Sequence, residues 1–159
     1  MTAQISYTIN QGVALAGLLF SLENKTISSR AAEGAAGIEF GFPVSRGTDK
    51  DKQVTLGGTD FFGFAVRSLE REGVYGTGAT KYDEKETVGC LRSGSLWVPC
   101  VAGCVPGDTV KYDSTTGAVT TGTAGVGEVQ LDGAVWDTTA AAGELAVLRI
   151  ETSDFTVGS

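Results

Sequence analysis

Residues 86–101, ETVGCLRSGSLWVPCV, decide the fold. In the second half of this stretch Leu96, Val98 and Cys100 alternate with Trp97 and Pro99. A period of two is the mark of a strand with one buried face. Arg92, Ser93 and Gly94 break the pattern. The stretch therefore reads as two strands joined at a turn.

The same grammar continues on both sides. Downstream, Pro106-Gly107-Asp108 is a turn signal, and TVKYDSTTGAVTT reads as a hairpin with its turn at Asp113 to Gly117. GEVQL and GAVWDT are two further short strands, and LAVLRIET is a final one. TAAAGE, between them, reads as a loop or one helical turn. Upstream, IEFGFPV places Ile38, Phe40 and Phe42 at spacing two before Pro43 interrupts. QVTLGG is short and ends on a glycine pair, and in FFGFAVRSL the residues Phe62, Phe64 and Val66 share one predicted face. EREGVYGTGATKYDEK is a charged, glycine-rich loop. About nine or ten short strands with turns between them predict an all-β protein, a single small sandwich or barrel-like domain. No amphipathic helix of normal length appears in the sequence, which argues against a parallel βαβ architecture.

Composition agrees. The 159 residues include 23 Gly, 19 Thr and 16 Val but one Met, a strand-and-turn profile. Residues 1–37 differ from the rest: short apolar pieces mix with Asn, Ser, Gly and Ala without a sustained period of 2 or 3.6. They read as an extended N-terminal arm, with residues 38–159 as the β domain. Such arms gain order by lying on something else.

Several function classes are excluded by what is missing. The chain has no His, which removes Ser-His-Asp and Cys-His hydrolases, His-ligated zinc and haem. The net charge is −7 and basic runs are short, so binding to nucleic acid through phosphate neutralisation is not expected. The apolar run Val13 to Phe20 is too short to span a membrane, and no basic residue precedes it to make a signal peptide. The excess charge is concentrated at the end of the chain: residues 113–159 hold seven acidic residues and only Arg149. This reads as a solvated face or as a surface that meets a basic partner.

Three cysteines, Cys90, Cys100 and Cys104, sit close together. They read first as small buried hydrophobes, with one disulfide or an incomplete metal site as alternatives. Absence of a signal peptide favours a reducing cytoplasm as the place of synthesis. The segment Gly73 to Lys81 resembles a phosphate loop, but Ala79 and Thr80 separate Gly78 from Lys81 and no helix is signalled after it. Arg92-Ser93-Gly94 matches one short motif of trimeric dUTPases, without the other motifs those enzymes need. Asp49 and Asp51 form an Asp-x-Asp pair that Lys50 and Lys52 dilute, so no metal site is expected there. Trp97 and Trp136 read as core or interface anchors.

Taken together, three segments resemble the structural cement, or capsid decoration, proteins of tailed bacteriophages. In the first, Ile27, Ser29 and Arg30 lead to Phe40, Gly41 and Val44 and then to the turn Arg46-Gly47. The second runs from GFAVRSL through the glycine-rich loop to Trp97-Val98. The third joins the PGDTVKY hairpin to the AAGELAVLRI ending. The resemblance covers nearly the whole chain in order. It implies a structural protein without catalysis, cofactor or metal, made in the bacterial host cytoplasm and located on the virion surface. Its implied partner is the major capsid protein, bound at junctions between subunits, with assembly as a homo-oligomer, dimer or trimer. Neither nucleic acid nor membrane is an implied partner. A carbohydrate-binding or adhesive β module is the alternative, and a small β enzyme such as a nucleotide hydrolase is a more distant one. Expected interface residues are Val13, Leu15, Leu18, Leu19 and Phe20 of the arm, Arg30, Phe40 and Arg46 of the first segment, and Trp97 and Trp136.

Overall fold

A computed structural model describes residues 15–21, 23–68 and 80–159. No helix occurs among them. Among the described residues twelve strands follow one another: β1 Thr26–Ala32, β2 Ile38–Glu39, β3 Pro43–Arg46, β4 Gln53–Leu56, β5 Phe61–Ala65, β6 Lys81–Tyr82, β7 Thr87–Pro99, β8 Thr109–Asp113, β9 Val119–Thr121, β10 Glu128–Trp136, β11 Leu145–Ile150 and β12 Phe155–Val157. The expectation of an all-β, barrel-like domain holds.

Most strands belong to one sheet that runs β1-β4-β3-β5-β7-β11-β10-β8-β9, with β12 beside β10. Because β1 also pairs with β7, the first five of these strands close on themselves into a small barrel. Closure leaves these strands fewer free edges, the standard hazard of β proteins. β7 is the seam of the molecule. Its first half pairs with β1 and β5, and its second half, Gly94 to Pro99, pairs with β11.

Each half has its own core. Inside the barrel lie Val44, Val54, Phe62, Ala65, Val88 and Cys90, among others. The larger, C-terminal core is built on Trp136, Tyr112, Leu96, Val98, Leu148 and Ile150. A group of rings joins the halves: Phe61 packs on Phe64, Tyr112 and Phe155 at 5.6, 5.9 and 6.5 Å. The Tyr112 hydroxyl donates to the Gly58 carbonyl at 2.9 Å, so its polar end is satisfied at that junction. Burial pushes the Tyr112 phenol up to about 12.

The alternation of Leu96, Val98 and Cys100 is present, all three fully buried. The hairpin with its turn at Asp113 to Gly117 is present as β8 and β9. Asp113 makes that turn, accepting from the amides of Thr115 and Thr116 at 2.8 and 2.7 Å.

Four expectations need correction. Arg92-Ser93-Gly94 does not end a strand: β7 runs through it, with Gly94 at φ 128° absorbing the change of partner. Likewise GEVQL and GAVWDT are one strand, β10, whose pairing with β8 slips between Leu131 and Val135. Phe62 and Phe64 do not share a face. Ser45 faces Phe61 while Val44 faces Gly63, so Phe62 is the extra residue of a bulge. The bulge sends Phe62 into the barrel and Phe64 into the other core. Finally, the β body starts before Ile38. Residues 26–32, within the span read as an arm, form β1 and register residue by residue with β7. Their Thr, Ser and Arg content hides a strand that has the barrel interior on one side.

Candidate interaction surface

Residues 15–21 form a strap along the second half of β7. The Gly17 amide donates to the Trp97 carbonyl at 2.8 Å, the Trp97 amide to Leu18 at 2.9 Å, and the Phe20 amide to Ser95 at 3.0 Å. This is strand addition by the chain to itself. The strap fits because two glycines cross. Gly17 and Gly41 both have positive φ, and a side chain on Gly17 would stand 2.7 Å from the Gly41 nitrogen. Arg67 ties the crossing from the far side, its amide donating to the Gly17 carbonyl at 2.8 Å.

The strap divides its apolar residues. Leu19 packs against the C-terminal core, and Leu18 is half-buried. Leu15 and Phe20 face solvent, 48% and 53% exposed. Phe20 meets the half-buried Trp97 edge-on at 5.7 Å, which makes a ridge of two rings. Among expected interface residues, Leu15, Phe20 and Trp97 are thus presented outward. Val13 lies outside the described residues, as does the glycine-rich segment 73–78. Phe40 and Trp136 are buried core residues and are not available to a partner. Phe40 packs edge-on against Tyr82 at 5.0 Å, and the Trp136 Nε1 is enclosed without a hydrogen-bond acceptor. Both aromatic rings are recruited by closure of the chain on itself, which a sequence motif does not reveal.

Arg30 and Arg46 are brought together, and with a residue not expected at the site. Alternation along β1, β3 and β7 puts Arg30, Arg46 and Arg92 on the same inward faces as Ala32, Val44 and Cys90. At one end of the barrel their guanidinium carbons lie 5.0, 5.3 and 4.9 Å from the centre of the Phe62 ring. The ring is 2% exposed and each arginine is half-buried. Cation–π attraction of about 0.5–2 kcal/mol per group holds such an arrangement. Asp60 serves Arg46 at 2.7 Å and Lys50 at 3.4 Å. Arg30 donates to its neighbour's carbonyl, Ser29, at 2.9 Å, and the Arg92 Nε is buried without an acceptor. The signal for Arg92 was its place at spacings of two and four from Cys90 and Val88, legible once β7 is one strand.

The cysteines are free and buried, Cys90 in the barrel and Cys100 and Cys104 in the other core. Burial pushes the Cys90 thiol up to about 12 and Cys104 to about 11, so neither is a nucleophile near neutral pH.

The acidic residues of the C-terminal third are occupied by their own chain. The Gly125 amide, and after it Lys111 at 2.8 Å, hold the Glu128 carboxyl below the usual range. Asp132 accepts from Thr156, Asp154 from Thr152 and Glu144 from the Ala141 amide. Asp137 and Glu151 flank Arg149 at 3.8 and 3.7 Å.

The family model described as structural cement protein (E217 gp24/Pam3 gp6) matches residues 3–151. A chain of the solved structure titled "The capsid of Myoviridae Phage XM1" superposes with a TM-score of 0.71 at 17% identity, over 97% of this chain and 100% of that one. At that identity the likeness is one of fold. No curated protein matches.

Proposed function

This chain belongs to the structural cement protein family of phages, and we propose that it binds the outside of an assembled head at junctions between major capsid proteins. Its role in the virion capsid is structural, as the family is. The finer reading is that it fastens neighbouring subunits, and that it does so as a dimer or trimer made in the host cytoplasm.

The observation that carries this reading is the strap. A short, largely apolar segment lies on the seam of the molecule, with Leu15 uncovered and Phe20 uncovered beside Trp97. Large exposed rings on a rigid β surface are the residues that anchor protein–protein contacts. A joint of this kind needs no catalytic machinery. It needs a body that keeps its shape, and the closed barrel with its shared strand β7 supplies one.

Co-sedimentation with undecorated heads tests the proposal. The wild-type chain is expected to pellet with heads and to remain in the supernatant with unassembled capsid subunits. Phe20→Ala combined with Trp97→Ala is expected to keep the β signature by circular dichroism and to weaken pelleting. A protein that ignores heads but binds a glycan array would replace this reading with the adhesive one.

A further inference from the structure

We infer that the arginine-lined end of the N-terminal barrel is a socket for a carboxylate presented by an acidic segment of the capsid subunit. The inference rests on the proposed function and adds the chemistry of the partner at one place.

Four cations gather here. Arg30, Arg46 and Arg92 ring Phe62 within 5.3 Å, and Lys50 reaches Asp60 from outside. They lie within about one Debye length of one another, near 10 Å at 0.1 M salt, so their mutual repulsion is felt. Among the described residues one carboxylate answers them, Asp60, which is already shared between Arg46 and Lys50. Among the described residues no carboxylate pairs with Arg30 or Arg92. A cluster of like charge inside a chain of net charge −7 is not explained by solubility.

The groups are also prepared for a ligand. Contact with a buried ring restricts the guanidinium groups, so less side-chain freedom is left to lose on binding. Planar, paired donors match the two oxygens of a carboxylate. The chain's own C-terminal acids are poor candidates for the occupant, because each of them is engaged by a hydroxyl, an amide or a cation of its own half. On the proposed function the surface that brings a carboxylate to Arg30 and Arg92 is the capsid lattice.

The test uses the full-length protein labelled with nitrogen-15. Acetylated, amidated tri-glutamate is titrated while the Nε–Hε resonances of the arginines are followed. Arg30 and Arg92 are expected to shift, several-fold more weakly at 300 mM than at 25 mM salt, and tri-glutamine is expected to leave them in place. Absence of a shift, or equal shifts with inorganic phosphate, would overturn the carboxylate socket. In parallel, Arg30→Gln with Arg92→Gln is expected to bind heads about tenfold more weakly or worse, whereas Lys52→Gln is expected to bind as wild type. Arg92→Lys, which keeps charge but loses the planar fork, guards against a misfolded double variant and is expected to fall between. Unchanged head binding by the double variant would sink the inference and leave the proposed function standing. Glutamate shifts in a protein that never binds heads would do the reverse. A changed oligomeric state of the double variant would place the carboxylate on a second copy, against the capsid assignment.

Discussion

The two halves of the molecule handle charge differently. In the C-terminal half, around Trp136 and Tyr112, each acidic side chain finds a partner within the same half, and the core holds no charged group. In the N-terminal barrel three arginines are drawn in on the walls of the core, and among the described residues two of them meet no carboxylate. One half is chemically complete alone. The other leaves two cations that, on the proposed reading, a partner answers.

The contrast is broken most strongly by removing a large core residue from each half. Trp136→Ala is expected to destabilise by about 3–5 kcal/mol, through a cavity in a core that cannot collapse. Phe62→Ala removes a ring on which three cations rest, and is expected to cost about 3 kcal/mol or more while also weakening head binding. Denaturant unfolding measures both, and a head-binding loss by Trp136→Ala at temperatures where it is folded would blur the distinction drawn here.

Next in size is the strap. Gly17→Ala places a Cβ against the Gly41 backbone at a φ of 78°, with no flexible side chain to yield. It is expected to destabilise by about 1–3 kcal/mol. Deleting residues 2–14 tests the remainder of the arm separately. It is expected to leave the melting temperature nearly unchanged and to weaken head binding or oligomerisation, whereas deletion of 2–20 lowers both because it also strips three main-chain hydrogen bonds from β7. A full-strength binder without residues 2–14 would deprive that segment of its assigned role.

The smallest effects are those of pH, and they too differ by region. Glu33, Asp113 and Glu128 have carboxyls held below their ordinary values by hydrogen bonds, from Thr48, from Thr116 and Thr115, and from the Gly125 amide and Lys111. A depressed carboxyl stabilises the fold above its unfolded value and loses that contribution as pH falls through the folded one. Stability is therefore expected to be flat near neutrality and to decline below about pH 4.5, modestly, since these half-buried groups remain in reach of solvent. At the other end Cys90 and Cys104 stay protonated in the fold while the unfolded thiols ionise near pH 9. Stability is expected to fall as pH rises from about 9 toward 11. Replacing Cys90 with Ala should flatten the alkaline limb and cost about 1–3 kcal/mol in lost packing, read from melting curves across pH.

How much of this was legible in sequence follows from the range of the interactions. Leu96, Val98 and Cys100, or the Asp113 turn, announce themselves because alternation and turn chemistry are local. The bulge at Phe62 is not local: it exists only because Ser45 and Val44 sit opposite, and it reassigns two phenylalanines to different cores. β1 is hidden by its polar residues, and only its register against β7 makes it a strand. The arginine cluster is the extreme case. Arg30, Arg46 and Arg92 are far apart in the chain, and the closing of the barrel is what brings them to one ring. Arg30 and Arg46 were expected at an interface through family resemblance, and Arg92 was not, because the stretch around it read as a turn.

A protein that fastens an assembled shell must also stabilise it. Linkage makes the most direct test: a protein that binds the lattice but not its free subunits must raise the heat resistance of the shell as its concentration rises. At about a hundredfold over the dissociation constant each site contributes roughly 2.7 kcal/mol. The measurement is the disruption temperature of undecorated heads against added protein, followed by release of dye-accessible DNA. A midpoint that climbs with concentration and levels off at saturation is the expected result. Heads that bind the protein to saturation and melt at the same temperature as bare ones would contradict the account.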